Sequence, residues 1–377
     1  MKKLILAGAG HAHLFSILHI GQLIRAGYSV TVIGPGDYHY YSGMGPGLLA
    51  GLYQPGETRF AVRKMTEARG GKFVCGSIEL IQPDLNRVQL SGGQSLDYDV
   101  LSCNLGSNVV PLAPAEDPTL PVKPIENLYT AGREIARRLQ KESLRVLVIG
   151  GGAAGVEIAG NLCHLGELTK GSLDVTLLSQ SDILTRYVPK MRRLVLASFT
   201  RRGIHVYEQV SISRFSGQEV MLDNGNTLPF DYAINATGIR PSRVFRSSGL
   251  PVSNDGGLLV NQYLQCINYP RIFGAGDCIS FLPQPLERVG VYAVRQGPVL
   301  YQNLLVALPC GSLRAFRPQA RYLSILNLGD GSGLLAWRSF VFSGRLAFLV
   351  KNYIDKKFMN RFQVSGEINF DFGGHNT

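Results

Sequence analysis

The sequence predicts an α/β protein with two dinucleotide-binding units and a C-terminal extension. Three observations carry this expectation. One apolar run ends in Gly8-Ala9-Gly10, and a second ends in Gly150-Gly151-Gly152-Ala153-Ala154-Gly155. Much later, Arg271-Ile272-Phe273 leads into Gly274-Ala275-Gly276-Asp277. At 377 residues the chain exceeds one ordinary core. Its 45% apolar residues and 44 glycines fit a globular protein and exclude a disordered one.

The start, Met1-Lys2-Lys3 and the apolar residues behind it, mimics a secretion signal. That run is short and leads straight into the glycine turn, so it reads as a first strand and the chain as cytoplasmic. Gly8 makes the tight turn, and Gly10 lets the backbone approach a pyrophosphate at the positive end of a helix. The helix is expected within residues 14–26, with Leu14, Ile17, Leu18 and Leu23 available to the sheet. Tyr28 to Ile33 is the second strand. Two positions depart from the fingerprint. His13 replaces the third glycine, and Gly34 replaces the acidic ribose partner, with Asp37 slightly further on. His11 and His13 have a spacing that can bind metal, but no Cys, Asp or Glu nearby completes a ligand set. They read as loop and packing residues, and no metal is expected.

Tyr38 to Gly51 mixes glycines with aromatics and Met44. It suits either the rim of a flat ligand or a Gly-Pro turn cluster with aromatics in the core. Arg87 to Leu90, Gly92-Gly93 and the strand ending at Gly106 form a hairpin and a returning strand. The second loop keeps all three glycines and opens a helix over Val156 to Leu165. Glu157 follows, near the ligand crevice and the helix dipole. The next strand, Asp174 to Leu178, ends at Ser179 and Gln180 without an acid, so nothing repels a 2′-phosphate. Arg186, Arg192 and Arg193 are candidates to bind one, and NADPH is as open as NADH. Residues 204–238 alternate, turn at Asp223-Asn224-Gly225 and end in Asn235-Ala236-Thr237-Gly238. The chain thus repeats one plan, as an internal duplication would. Asp277 is placed to hydrogen-bond the polyol arm of a flavin. Gly290 to Gly297 begins a helix whose N-terminus meets the pyrimidine edge of that flavin.

Together these residues resemble the two-dinucleotide flavoproteins of the pyridine nucleotide-disulfide oxidoreductase superfamily. Within it they resemble the type II NADH dehydrogenases, through Gly150 to Glu157, Asn235 to Gly238 and Gly274 to Asp277. A closer resemblance, nearly end to end, is to the NADH-dehydrogenase-like flavoproteins often fused to selenophosphate synthetase. Gly8 to His13, Tyr41 to Gly47, Val291 to Pro298, Arg317-Pro318-Gln319 and Ile354 to Met359 carry it.

The resemblance implies two Rossmann-like domains in a glutathione-reductase-like FAD/NAD(P) architecture. The FAD domain would span residues 1–112 and 239–320, the NAD(P)H domain 113–238, and an extension 321–377. Gly8, Gly10, His11, Ala12, Ser42, Gly43, Met44, Pro46, Gly106, Gly276, Asp277 and Ala293 would hold FAD. Gly150, Gly152, Ala153, Ala154, Gly155 and Gly238 would hold NADH or NADPH. Glu157 would place the nicotinamide, and Arg295 and Gln296 would border the flavin edge, where a cation stabilises reduced anionic flavin. The expected activity is hydride transfer from NAD(P)H to FAD, with electrons passed to a quinone or another acceptor. Type II dehydrogenases use an Ala-x-Gln-Gln stretch beside the flavin. Here it reads Ala293-Val294-Arg295-Gln296, and Arg295 replaces one glutamine.

Two other readings remain. A sulfide or selenium-compound oxidoreductase would need Cys103, Cys163 or Cys310 at the flavin. A low-turnover nucleotide-binding partner in selenium metabolism would need no chemistry. The dithiol-reductase branch is disfavoured, because Ser42 and Met44 stand where its cysteines belong. The six cysteines form no close pair, as expected of buried thiols in a reducing compartment.

The net charge of +11 favours anionic partners, or marks a generally basic surface, and no nucleic-acid motif accompanies it. No apolar run approaches the roughly 18 residues of a spanning helix. Residues 333–363 alternate aromatic, aliphatic and basic blocks around Trp337. They read either as an interfacial segment on the inner face of a membrane or as a helix packed on the body. The sequence leaves the oligomeric state open.

Overall fold

The computed structural model describes residues 1–113, 117–308 and 311–363. Two five-stranded parallel sheets organise it. The first runs, in spatial order, Ile272–Gly274, Val100–Cys103, Lys2–Ala7, Tyr28–Gly34 and Lys72–Cys75. The second runs Leu120–Pro121, Tyr232–Asn235, Leu144–Ile149, Leu173–Leu178 and His205–Tyr207. Every strand of the second sheet lies in sequence between Val100–Cys103 and Ile272–Gly274. An antiparallel three-stranded meander precedes Val100–Cys103 in the first sheet, over residues 78–97, and another precedes Tyr232–Asn235 in the second, over residues 212–229. The repeated plan read from the sequence is visible in this order.

Leu4, Ile5, Leu6 and Ala7 are all buried, as a central parallel strand with both faces covered requires. The apolar run behind Met1 is therefore sheet interior. The first helix differs from expectation. It begins earlier, as His11–Leu18, and breaks before a second helix, Ile20–Arg25. The break is at His19, whose ring Nδ1 bonds the Phe15 carbonyl at 2.7 Å. Leu14, Ile17 and Leu23 still face the core.

The extension is an antiparallel hairpin sheet, Ser324–Asn327, Gly333–Trp337 and Phe340–Gly344, followed by the helix Arg345–Phe362. It touches both units. Asn327 binds the helix Ala153–Thr169 of the second unit, and Lys351 binds Gly43 of the first. Among the described residues no helix is long and apolar enough to cross a membrane.

Candidate active site

In an open parallel sheet, ligands bind beyond the strand ends where the strand order reverses. In the first sheet that crevice lies between Lys2–Ala7 and Val100–Cys103. Gly8 sits there with φ +87°, and a Cβ on it would come 2.3 Å from the Asn104 carbonyl oxygen. A Cβ on Gly10 would come 2.4 Å from Asn104 Oδ1. The space that a Cβ at Gly10 would take is filled by a side chain of the protein.

Asn104 is the residue the sequence reading missed. Its Oδ1 accepts from the Ala12 and His13 N–H groups at 3.1 and 3.4 Å, and its Nδ2 donates to Ala275 O at 2.7 Å. One buried amide thus caps the first helix and ties it to the returning segment. Its signal was a lone amide closing an apolar strand.

His13 fills the space that the fingerprint's third glycine would leave. It is fully buried, with Nδ1 against Gly8 O and Nε2 2.8 Å from Ser102 Oγ. A carbonyl can only accept, so Nδ1 carries the proton and Nε2 accepts from the Ser102 hydroxyl. Burial lowers the His13 pKa to about 4 and keeps the ring neutral. His11 turns toward His39, with Nδ1 3.1 Å from His39 Nε2, and stacks on Phe358 of the extension. Burial, with the Lys123 charge beside it, lowers its pKa to about 4. Its Nε2 is buried without a partner among the described residues. Among the described residues no group of three or more His, Cys, Asp or Glu could hold a metal. Asp37 is engaged by Arg63 at 2.6 Å.

Around this crevice stand the other residues expected at FAD. Ser42 Oγ lies 3.9 Å from the Cβ position of Gly290, at the start of the helix Gly290–Val306. Met44 and Pro46 are buried behind it. Gly106 has φ +69° and open space at its Cβ position. Gln296 is buried and accepts from Gly276 N at 2.7 Å. Arg295, the next residue round the helix, is exposed instead. Gly276, Asp277, Ala293 and Gln296 line one end of a cavity of about 290 Å³.

The second loop is built differently. A Cβ on Gly150 (φ +127°) would lie 2.4 Å from Ala236 O, and one on Gly155 only 1.8 Å from Gly150 O. Gly152 meets nothing within 4 Å, and Gly238, across the crevice, also faces open space. Ala153 and Ala154 open the helix Ala153–Thr169 with Ala154 exposed. A helix N-terminus with an open glycine in front of it is ready for a phosphate. At the ribose end, Arg192 is already paired with Glu208, while Arg186 and Arg193 are exposed.

Glu157 requires a correction. The helix starts at Ala153, so Glu157 lies beyond its first turn, and its Oε1 accepts from Asn327 N at 2.7 Å. It faces the extension, where Lys351 Nζ donates to Asp355 Oδ2 and to Gly43 O, each at 2.7 Å. Tyr41 OH donates to Asp355 Oδ1 at 3.1 Å. Burial raises the Glu157 pKa to about 7, against the pull of the Lys351 ammonium. Glu157 and Asp355 together raise that of Lys351. A carboxyl poised near neutrality beside a buried lysine can hold or release a proton at working pH. Lys351 and Asp355 come from far along the chain, and nothing near Glu157 in the sequence pointed to them.

Cys103 and Cys163 do not converge. Cys103 is fully buried in the first sheet, with its thiol pKa pushed well up by burial. Cys163 lies on the second unit's helix against Arg202 O. Cys310 lies outside the described residues.

The profile of the pyridine nucleotide-disulphide oxidoreductase family matches residues 2–302. The chain belongs to that family. It is an oxidoreductase with FAD and NAD(P)H as its cofactors. A probable NADH dehydrogenase of Dictyostelium discoideum is 23% identical over 387 aligned residues, covering 92% of this chain and 83% of that one. NDH2 from Plasmodium falciparum, solved with NADH, superposes with a TM-score of 0.83 at 14% identity, covering 96% and 97% of the two chains. The sulfide:quinone oxidoreductase from Aquifex aeolicus superposes at 0.79 with 18% identity, covering 96% and 91%.

Proposed function

We propose that this protein oxidises NADH or NADPH through bound FAD and passes the electrons to a quinone or a related acceptor. FAD would occupy the crevice of residues 1–112 and 239–320, and the nicotinamide dinucleotide the loop of residues 113–238. Bound flavin supplies the two-electron relay. The chain's own residues do the rest. Gly152 and the helix behind it seat the pyrophosphate of the nicotinamide dinucleotide. Asp277 and the Gln296-held turn at Gly276 seat the flavin's polyol arm. Glu157, with Lys351 and Asp355, holds a proton between the two nucleotide sites. The observation that carries the reading is the Glu157 carboxyl on the nicotinamide-side helix, which feels the Lys351 charge, together with the hydrogen bonds of that ammonium to Asp355 and to the flavin-side Gly43 carbonyl.

The extension supports an acceptor drawn from a membrane. Leu346 and Tyr353 are each 65% exposed, Leu349 is 57% and Phe340 62%, with Trp337, Val350 and Ile354 beside them in the sequence. Lys356, Lys357 and Arg361 follow on the same helix. An apolar face next to basic residues suits the interface of an anionic bilayer, here its inner face. The sulfide-oxidising reading has less support, because Cys103 and Cys163 lie in separate units. The likeness to flavoproteins fused to selenophosphate synthetase supports only a place beside selenium chemistry.

The test is quinone-dependent NADH or NADPH oxidation by the FAD-loaded protein on anionic vesicles. The reading predicts turnover that falls about tenfold or more in Glu157→Gln. Rapid NAD(P)H oxidation with no response to any quinone would overturn the acceptor assignment.

A further inference from the structure

The connection from the first unit to the second carries two side chains to the proposed FAD anchor. Ser107 Oγ donates to Asp277 Oδ2 at 3.0 Å. Lys123 Nζ donates to the same Oδ2 at 2.8 Å and to Ser107 Oγ at 2.7 Å. The three groups close a triangle with one carboxylate oxygen at its apex. The pair is largely sheltered, with the Lys123 and Asp277 side chains 23% and 18% exposed. Asp277 Oδ1 has no hydrogen bond or ion pair with any described residue, and Asp277 lines the cavity. Lys123 itself is anchored in the second unit. Val122 N bonds Asn235 O at 3.0 Å, and Leu120–Pro121 pairs with Tyr232–Asn235. Burial lowers the pKa of His11 and His39, and the Lys123 charge adds to it.

We propose that Lys123 is a positioning residue of the FAD site: from the inter-unit connection it clamps Asp277 by one oxygen and leaves the other to accept a hydroxyl of the flavin's polyol arm. This rests on Asp277 being the flavin anchor. A carboxylate free to rotate in a sheltered site would lose part of its binding geometry. Clamped by a serine hydroxyl and an ammonium, it stays aimed. Because the clamp comes from the nicotinamide-side sheet, the FAD seat also depends on how that sheet is docked.

The test is FAD binding to flavin-stripped full-length protein, followed by quenching of FAD fluorescence on binding. Lys123→Met is expected to weaken FAD by about tenfold or more, the worth of one charge-assisted hydrogen bond. Lys123→Arg should recover most of this loss, and Ser107→Ala should weaken binding by about threefold. In an Asp277→Asn background, Lys123→Met should change little, since its partner carboxylate is gone. Wild-type affinity in a folded Lys123→Met variant overturns the proposal. So does a Lys123→Met loss that persists in full beside Asp277→Asn, or no recovery by Lys123→Arg. If Lys123→Met does not fold, wild-type affinity in Ser107→Ala overturns the clamp. If the unmodified chain takes up no FAD, the flavin reading itself fails, and this one with it.

Discussion

Asn104 bears more of the site than any glycine does. Its buried amide satisfies two helix N–H groups and one carbonyl. Asn104→Ala is expected to cost about 2–4 kcal/mol in urea unfolding and to release FAD, because a buried donor or acceptor left unpaired costs its full desolvation. Unchanged stability with retained flavin would contradict that role. Glu157 acts through a proton. Its carboxyl titrates near 4.5 when unfolded and near 7 when folded, so the folded state holds the extra proton between those values. Its contribution to stability therefore declines as pH rises from 4.5 to 7. Glu157→Gln should be the more stable protein at pH 8 and should lose any kinetic ionisation near pH 7. A pH–rate profile that keeps this ionisation in the variant would assign it elsewhere. The glycines were legible because steric exclusion at a turn is local. Asn104, Lys123, Lys351 and Asp355 were not, because each partner lies far away in sequence. Arg295 and Gln296 show the same limit at short range, since helical phase rather than adjacency decides which side chain enters the site.

The first helix and the segment at His39 carry three sheltered imidazoles, of which His13 is fully buried. Those of His11 and His13 titrate near 4 in the fold and near 6.5 outside it, and that of His39 is also held well down. The unfolded chain binds these protons first. The stability they contribute is complete above pH 6.5 and is lost as pH falls toward 4, by about 3 kcal/mol at full effect for His13. Urea midpoints measured from pH 7.5 to 4.5 should fall, and should fall faster in Glu157→Gln, where the opposing carboxyl is gone. Flat midpoints would show the rings to be protonated or solvated. The helix Arg345–Phe362 makes a separate prediction. Leu346→Glu with Tyr353→Glu should reduce sedimentation with anionic vesicles at least about tenfold while sparing NAD(P)H oxidation by a soluble acceptor. Equal sedimentation would move the docking surface elsewhere. The sequence left this segment between membrane contact and body packing. The structure gives it both kinds of side chain, Met359 and Phe362 buried and Leu346 and Tyr353 exposed.

Across the entire chain, the fold was legible where the physics is periodic. Strands, glycine turns and meanders recur in each half, and the sheets follow the order the repeats imply. The way the extension joins the halves was not legible, since it depends on Asn327 meeting Glu157 and Lys351 meeting Gly43. Those contacts join the Glu157 helix and the Gly43 segment through the extension, and the proposed electron flow depends on FAD and NAD(P)H both being bound. The most direct test is anaerobic titration of the purified protein, loaded with FAD, by NADH and by NADPH. Rapid, stoichiometric bleaching of the flavin by at least one of them is predicted. A chain that binds no flavin, or holds one that neither nucleotide reduces, would contradict the account.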